Sequence, residues 1–188
     1  MKNILIIGFF LSFSFFKAQQ TYPLNTYPDD VPSGSYMKDL DNELIPFVGT
    51  WVANFGGKTI TLLISRQEHK TFKMPKTTDF YYQDALNINY IVKNSSGVEL
   101  QNNSNVQHEY DRKAITSMFV NNGIVNFYYT GTNCGVGWGS INLKKISNTE
   151  VSWTYLPNDT VLTTKNCPGN PDITIYLPET ENLVFTKQ

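Results

Sequence analysis

From residue 49 onward, apolar and polar positions alternate along the chain. Trp51, Ala53 and Phe55 alternate with Thr50, Val52 and Asn54, and Ile60, Leu62 and Ile64 alternate with Thr59, Thr61 and Leu63. A two-residue period places one set on the buried face of a β-strand and the other on its outer face. Gly56-Gly57 joins the two runs, and a two-residue Gly-Gly link favours a type I′ hairpin turn. The predicted register pairs Phe55 with Lys58, Ala53 with Ile60, Trp51 with Leu62 and Gly49 with Ile64. A slip of one residue would turn every one of these side chains to the wrong face.

The same reading predicts two more hairpins. Asn122-Gly123 joins Ala114–Asn121 to Ile124–Thr130, pairing Val120 with Val125, Met118 with Phe127 and Thr116 with Tyr129. Ser147-Asn148-Thr149 joins Gly139–Ile146 to Glu150–Leu156, setting Leu143 beside Trp153 and Ile141 beside Tyr155. Further strands are predicted at Leu86–Lys93, Val98–Gln101, Ile173–Leu177 and Leu183–Lys187, with loop-rich stretches at Thr71–Tyr82 and Asn102–Gln107. Met37–Leu44 is read as a short helical turn. Many short strands with tight links indicate an all-β sandwich or barrel, and a meander of neighbouring hairpins favours closure into an antiparallel up-and-down barrel, which removes both exposed edges.

The amino-terminal segment follows a different pattern. Lys2 precedes an apolar run from Ile4 to Phe16, and Lys17-Ala18 ends it. The run is too short for a bilayer core, which needs about 20 residues, and reads as a secretory signal with cleavage after Ala18. Residues 19–36 hold Pro23, Pro28, Pro32 and Gly34 and are expected to be an extended, poorly packed lead-in; residues 37–188 form the single β domain. The formal net charge is −1, and loss of Lys2 and Lys17 makes the exported chain more acidic. No clustered basic face suggests a nucleic-acid partner, and after cleavage no apolar run remains to anchor the chain in a membrane. A monomer is expected. In an oxidising compartment Cys134 and Cys167 are expected to join. A disulfide spans at most about 7 Å between Cα atoms. The bond thus requires Asn158–Asp172 to be a loop folded back toward Cys134, not another crossing strand.

At Phe47-Val48-Gly49-Thr50-Trp51 the chain resembles the calycin superfamily, which includes the lipocalins, where a helical turn precedes a Gly-x-Trp opening the first strand. The resemblance implies that Trp51 packs at the barrel floor with a basic residue of the last strand, here Lys187, lying across it. The layout from Tyr22 to Lys187 also looks like a family of exported bacterial proteins of unknown function with lipocalin-like folds. The avidin branch opens similarly, but this chain has Ala53 where avidins place a ligand-facing Asn.

Candidate chemistry is sparse. His69 and His108 sit in polar turns and read as solvated residues; no metal site or cofactor is expected. Gly135, Gly137 and Gly139 lie in a β loop, whereas a phosphate site needs a glycine loop opening a helix. No Gly-x-Ser-x-Gly elbow is present, and no enzyme is expected. Aromatic residues are the enriched class. Phe55, Leu62, Met118, Phe127, Tyr129, Trp153 and Tyr155 are assigned to a barrel core or cavity, while Tyr81, Tyr82, Tyr128, Trp138 and Tyr176 are candidates for exposure that would suit a carbohydrate or protein contact. Two functions follow: a carrier of a small apolar or amphipathic ligand inside the barrel, or an envelope or secreted interaction protein whose barrel is filled.

Overall fold

The computed structural model describes residues 19–74, 77–104 and 115–188. The expected export segment 1–18 and His108 lie outside the described residues. The strands are β1 (Thr21–Pro23), β2 (Tyr36–Lys38), β3 (Gly49–Phe55), β4 (Lys58–Lys73), β5 (Phe80–Asn94), β6 (Glu99–Asn102), β7 (Ile115–Asn121), β8 (Ile124–Tyr129), β9 (Gly139–Lys145), β10 (Glu150–Pro157) and β11 (Thr180–Lys187). Eight of them, β3, β4, β5, β7, β8, β9, β10 and β11, form a closed antiparallel barrel in meander order. Two short seams complete it: Thr186–Val52 and Lys187–Trp51 join β11 to β3, and Asn87–Thr116 and Ile88–Ile115 join β5 to β7.

The first hairpin has the register read from its alternation, from Phe55–Lys58 to Gly49–Ile64. Gly56 and Gly57 both have positive φ, +56° and +73°, as a type I′ turn demands. Asn122 and Gly123 do the same for β7–β8, and Leu143–Trp153 and Ile141–Tyr155 pair across β9–β10.

The second hairpin departs from prediction at a one-residue bulge, beyond which two predicted pairs are shifted. Ser117, not Met118, stands opposite Phe127, and Thr116 faces Tyr128, not Tyr129; Met118 bulges outward and is 38 % exposed. The cause lies at the β5–β7 seam. Among the described residues two pairs form there, and the β5 amide beyond them, Leu86 N, needs another acceptor. Ser117 turns inward and accepts its hydrogen bond at 2.8 Å through Oγ. An unpaired buried amide would cost about 1–3 kcal/mol, enough to displace a methionine to the surface.

Other expectations are corrected as well. Ile173–Leu177 is not a strand but part of the loop before β11, and the helical turn falls at Ile45–Phe47 instead of Met37–Leu44. Thr71–Tyr82 is strand at both its ends, 71–73 and 80–82, because β4 and β5 run on together past the barrel as a two-stranded ribbon. The lead-in is docked. β2 pairs in parallel with the free edge of β5 (Tyr36–Tyr82, Met37–Gln83), and β1 adds in parallel to β2. Leu24 and Met37 are fully buried, Val31 is nearly so, and Tyr27 stacks on Phe119 at 5.4 Å. Polar composition hid these anchors, because three apolar side chains spaced widely along a Pro-rich segment show no periodicity.

Candidate functional site

The barrel axis is filled. Trp51, Ile60, Leu62, Ile88, Val92, Phe127, Ile141, Leu143, Val151, Trp153, Tyr155 and Phe185 have no accessible surface, and Tyr129 has almost none. A cavity able to hold a ligand would leave part of its lining open to water. Eight-stranded barrels are narrow enough for side chains to fill. Phe55 is not part of this core: it sits on the last β3 position before the hairpin tip, beyond the packed rim, and is 38 % exposed.

The floor is built from the start of β3 and the end of β11. Trp51 Nε1 donates to Phe47 O at 2.7 Å, so the short helical turn caps the indole. Lys187 Nζ lies 5.1 Å from the centre of the Trp51 ring, a cation–π distance. Gly49, with φ +135°, makes room for it, since a Cβ there would stand 2.9 Å from Lys187 Cε.

At the opposite end, Tyr90, Tyr129 and Tyr155 gather beneath the mouth. Tyr90 Oη lies 3.4 Å from Tyr129 Oη and donates to Gln101 Oε1 at 2.9 Å. Tyr155 Oη donates to Gly137 O. Burial pushes all three phenols above their ordinary pKa, so they stay neutral at neutral pH. The loop between β10 and β11 covers them. Trp153 Nε1 donates to Pro178 O at 3.0 Å, Leu177 is buried, and Cys134–Cys167 ties the loop to the β8–β9 connection across a Cα separation of 5.2 Å. Asn158–Asp172 is a loop folded back, as the disulfide required.

The strongest electrostatic cluster lies where the lead-in meets the β4–β5 ribbon. The Asp84 side chain is wholly buried. Its Oδ1 accepts from Tyr36 Oη at 2.5 Å and His69 N at 3.1 Å; its Oδ2 accepts from Asp39 N at 3.1 Å and Arg66 Nη2 at 3.0 Å. Burial alone would raise its pKa, but these four donors hold it below the ordinary carboxylate value. With about four acceptor sites on a carboxylate all engaged, Asp84 has none left to take a proton from a substrate. Asp39 is similarly occupied, accepting from Glu43 N and Leu44 N. His69 sits at a bulge in β4 with φ +53°, stacked on Tyr82 at 3.9 Å. This clasp holds the lead-in against the β4–β5 ribbon. Among the described residues, no group of three or more His, Cys, Asp or Glu side chains is placed to hold a metal ion, and no helix is long and apolar enough to cross a membrane.

The outer face of β8, β9 and β10 is different in kind. Tyr128, Ser140 and Leu156 form one row in register, and Asn126, Asn142 and Thr154 form the next. Tyr128 is 44 % exposed and Leu156 57 %. Trp138, just before β9, is also partly exposed, its ring 6.5 Å from that of Tyr128 and tilted by 59°. Of the other aromatics expected at the surface, Tyr82 and Tyr176 are half-buried, while Tyr81 is buried against Phe72.

A family model described as a family of unknown function, DUF6705, matches residues 1–188. The chain belongs to that family. No curated protein and no solved structure matches the chain.

In this DUF6705 chain the residues that sequence reasoning left unmarked are Tyr36, Arg66 and Asp84; Asp39 reads from sequence as a solvated acid of a surface turn, and the structure buries it. The four come from three separated segments with no motif among them. A single clue was present: Asp84 interrupts an otherwise apolar and amide run, where an ionised side chain is tolerated only if it is fully paired.

Proposed function

We propose that this is an exported, non-enzymatic barrel protein that acts in the cell envelope or outside the cell through its surface. The observation that carries the reading is the filled axis, because a carrier needs an accessible interior. The disulfide supports an oxidising destination, since such bonds persist mainly outside the cytosol. The amino-terminal apolar run supports export by a cleaved signal. The saturated Asp84 cluster supports the absence of catalysis. A small apolar or amphipathic ligand in the barrel is the competing reading, and the three tyrosines beneath the mouth are what favour it.

Native mass spectrometry of the protein purified from its own host tests both. The expected species begins at Gln19, carries one disulfide and holds no small molecule. A stoichiometric apolar ligand released on denaturation would overturn the filled-barrel reading. A chain that retains residues 1–18 would overturn cleavage after Ala18.

A further inference from the structure

We propose that the outer face of β8, β9 and β10 is a binding platform for a neutral glycan. The proposal rests on the surface-acting reading above and names the partner's chemistry. Its first support is the combination of groups in two adjacent rows. Tyr128 and Trp138 are partly exposed with their rings 6.5 Å apart, and the row of Asn126 and Asn142 adjoins that of Tyr128. Asn126 Nδ2 donates to Asn142 Oδ1 at 2.8 Å. That bond orients the pair so that Asn126 Oδ1 remains an acceptor and Asn142 Nδ2 a donor. A pyranose offers the matching set: an apolar C–H face for a ring, and hydroxyls that both give and accept hydrogen bonds.

The second support is charge. Neither row contains a group charged at neutral pH; Lys144 stands one row beyond, opposite Ile124, and exposed Asp159 lies on the loop that bonds Trp138. Within the two rows an anionic or a cationic polymer would find no counter-charge. An apolar protein surface would cover the amide pair without partners, at about 1–3 kcal/mol for each group left unpaired. A neutral, hydroxyl-rich occupant leaves nothing unpaired.

The third support is rigidity. Trp138 Nε1 donates to Asp159 O at 3.1 Å, and Trp138 O accepts from Asn158 N at 2.7 Å. Thr160 Oγ1 donates to Gly135 O at 2.9 Å, so the loop grips both sides of the Trp138 segment. The Cys134–Cys167 bond fixes the same two segments to each other. A 38 % exposed indole held this firmly loses little freedom on binding, which is how a shallow surface gains affinity.

The test uses the disulfide-bonded protein with cellohexaose, laminarihexaose, mannohexaose and chitohexaose as probes. Tryptophan emission reads the platform directly, since Trp51 and Trp153 have no exposed surface and Trp138 does. At least one probe is expected to bind saturably and to shield Trp138 from acrylamide quenching. Tyr128→Ala, on an exposed strand position, and Trp138→Ala are each expected to weaken binding at least tenfold by calorimetry, with the far-ultraviolet spectrum of Tyr128→Ala unchanged. No saturable binding to any of the four probes overturns the proposal, as does binding that Tyr128→Ala leaves intact. A macromolecular partner from the host envelope that binds Tyr128→Ala and wild type equally would overturn the platform while leaving the surface-acting reading in place. A retained ligand inside the barrel would overturn that reading instead.

Discussion

The two ends of the barrel are closed by different physics. At the floor, closure is non-covalent: a helical turn caps Trp51, Lys187 lies over its ring, and nearby the lead-in is clasped to the β4–β5 ribbon through Asp84. At the mouth, closure is made by a long loop with few apolar anchors, held by a disulfide and resting on three buried tyrosines. A segment with a dense apolar and ionic anchor needs no covalent tie. A loop that exposes most of its side chains, Val161 among them, cannot offset its own ordering entropy, and a crosslink does so by restricting the unfolded chain.

The largest expected effect is at the floor. Trp51→Ala should cost about 3–5 kcal/mol in urea melts, the range for large aromatic truncations in packed cores. A loss below 1 kcal/mol would mean that the floor is not a structural anchor. Next is the mouth. Cys134→Ser with Cys167→Ser should cost about 2–4 kcal/mol, and limited proteolysis should then cut within 158–178 before any site in the lead-in. Cutting in the lead-in first would reverse the contrast between the two ends.

Asp84→Asn should cost about 1.5–3 kcal/mol, the range for hydrogen bonds to a charged group, and should change how stability depends on pH. Asp84 has a folded pKa below its ordinary 3.8. Its contribution is therefore present above that value and is lost as pH falls through the lower, folded one. The tyrosines act in the opposite direction. Tyr90, Tyr129 and Tyr155 have folded values above 10.0, so their contribution is complete below pH 10 and is lost as pH rises beyond it. Denaturant midpoints measured across pH should show Asp84→Asn flattening only the acid limb and Tyr129→Phe only the alkaline one. The smallest effect is expected at the bulge. Met118→Ala should change stability by less than about 1 kcal/mol, whereas Ser117→Ala should cost about 1–3 kcal/mol by stranding Leu86 N. Equal losses would show that Met118 belongs to the core after all.

What the sequence made legible was whatever is written locally. Gly56-Gly57 and Asn122-Gly123 set their hairpins because positive φ at both turn residues is a backbone demand that few residues meet. The loop path of 158–172 was legible because two cysteines impose a distance limit that a crossing strand would violate. The Ser117–Met118 exchange was not, because its cause is an unpaired amide on another strand. The parallel docking of Tyr36–Lys38 was hidden for the same kind of reason. Its partner is the free edge of β5, and nothing in a three-residue strand specifies a pairing so distant in sequence. The Asp84 clasp needed three segments to be brought together before any of its residues stood out. The Tyr128–Trp138 platform was visible as composition, but its rows became defined only with the strand register.

The seam between β3 and β11 has a consequence in time. It consists of Thr186–Val52 and Lys187–Trp51, two pairs drawn from opposite ends of the barrel in sequence. The β3–β4 and β9–β10 hairpins can form from neighbouring residues, in roughly 1–10 μs. The seam must wait until nearly all the intervening chain has been arranged, and barrels rich in such distant pairings fold on the order of milliseconds to seconds. Until then β3 carries an unsatisfied edge, open to any other strand that passes. The indole and ammonium of the floor meet only when that edge is covered, so the contact that opens the sequence motif is among the last the folding chain completes.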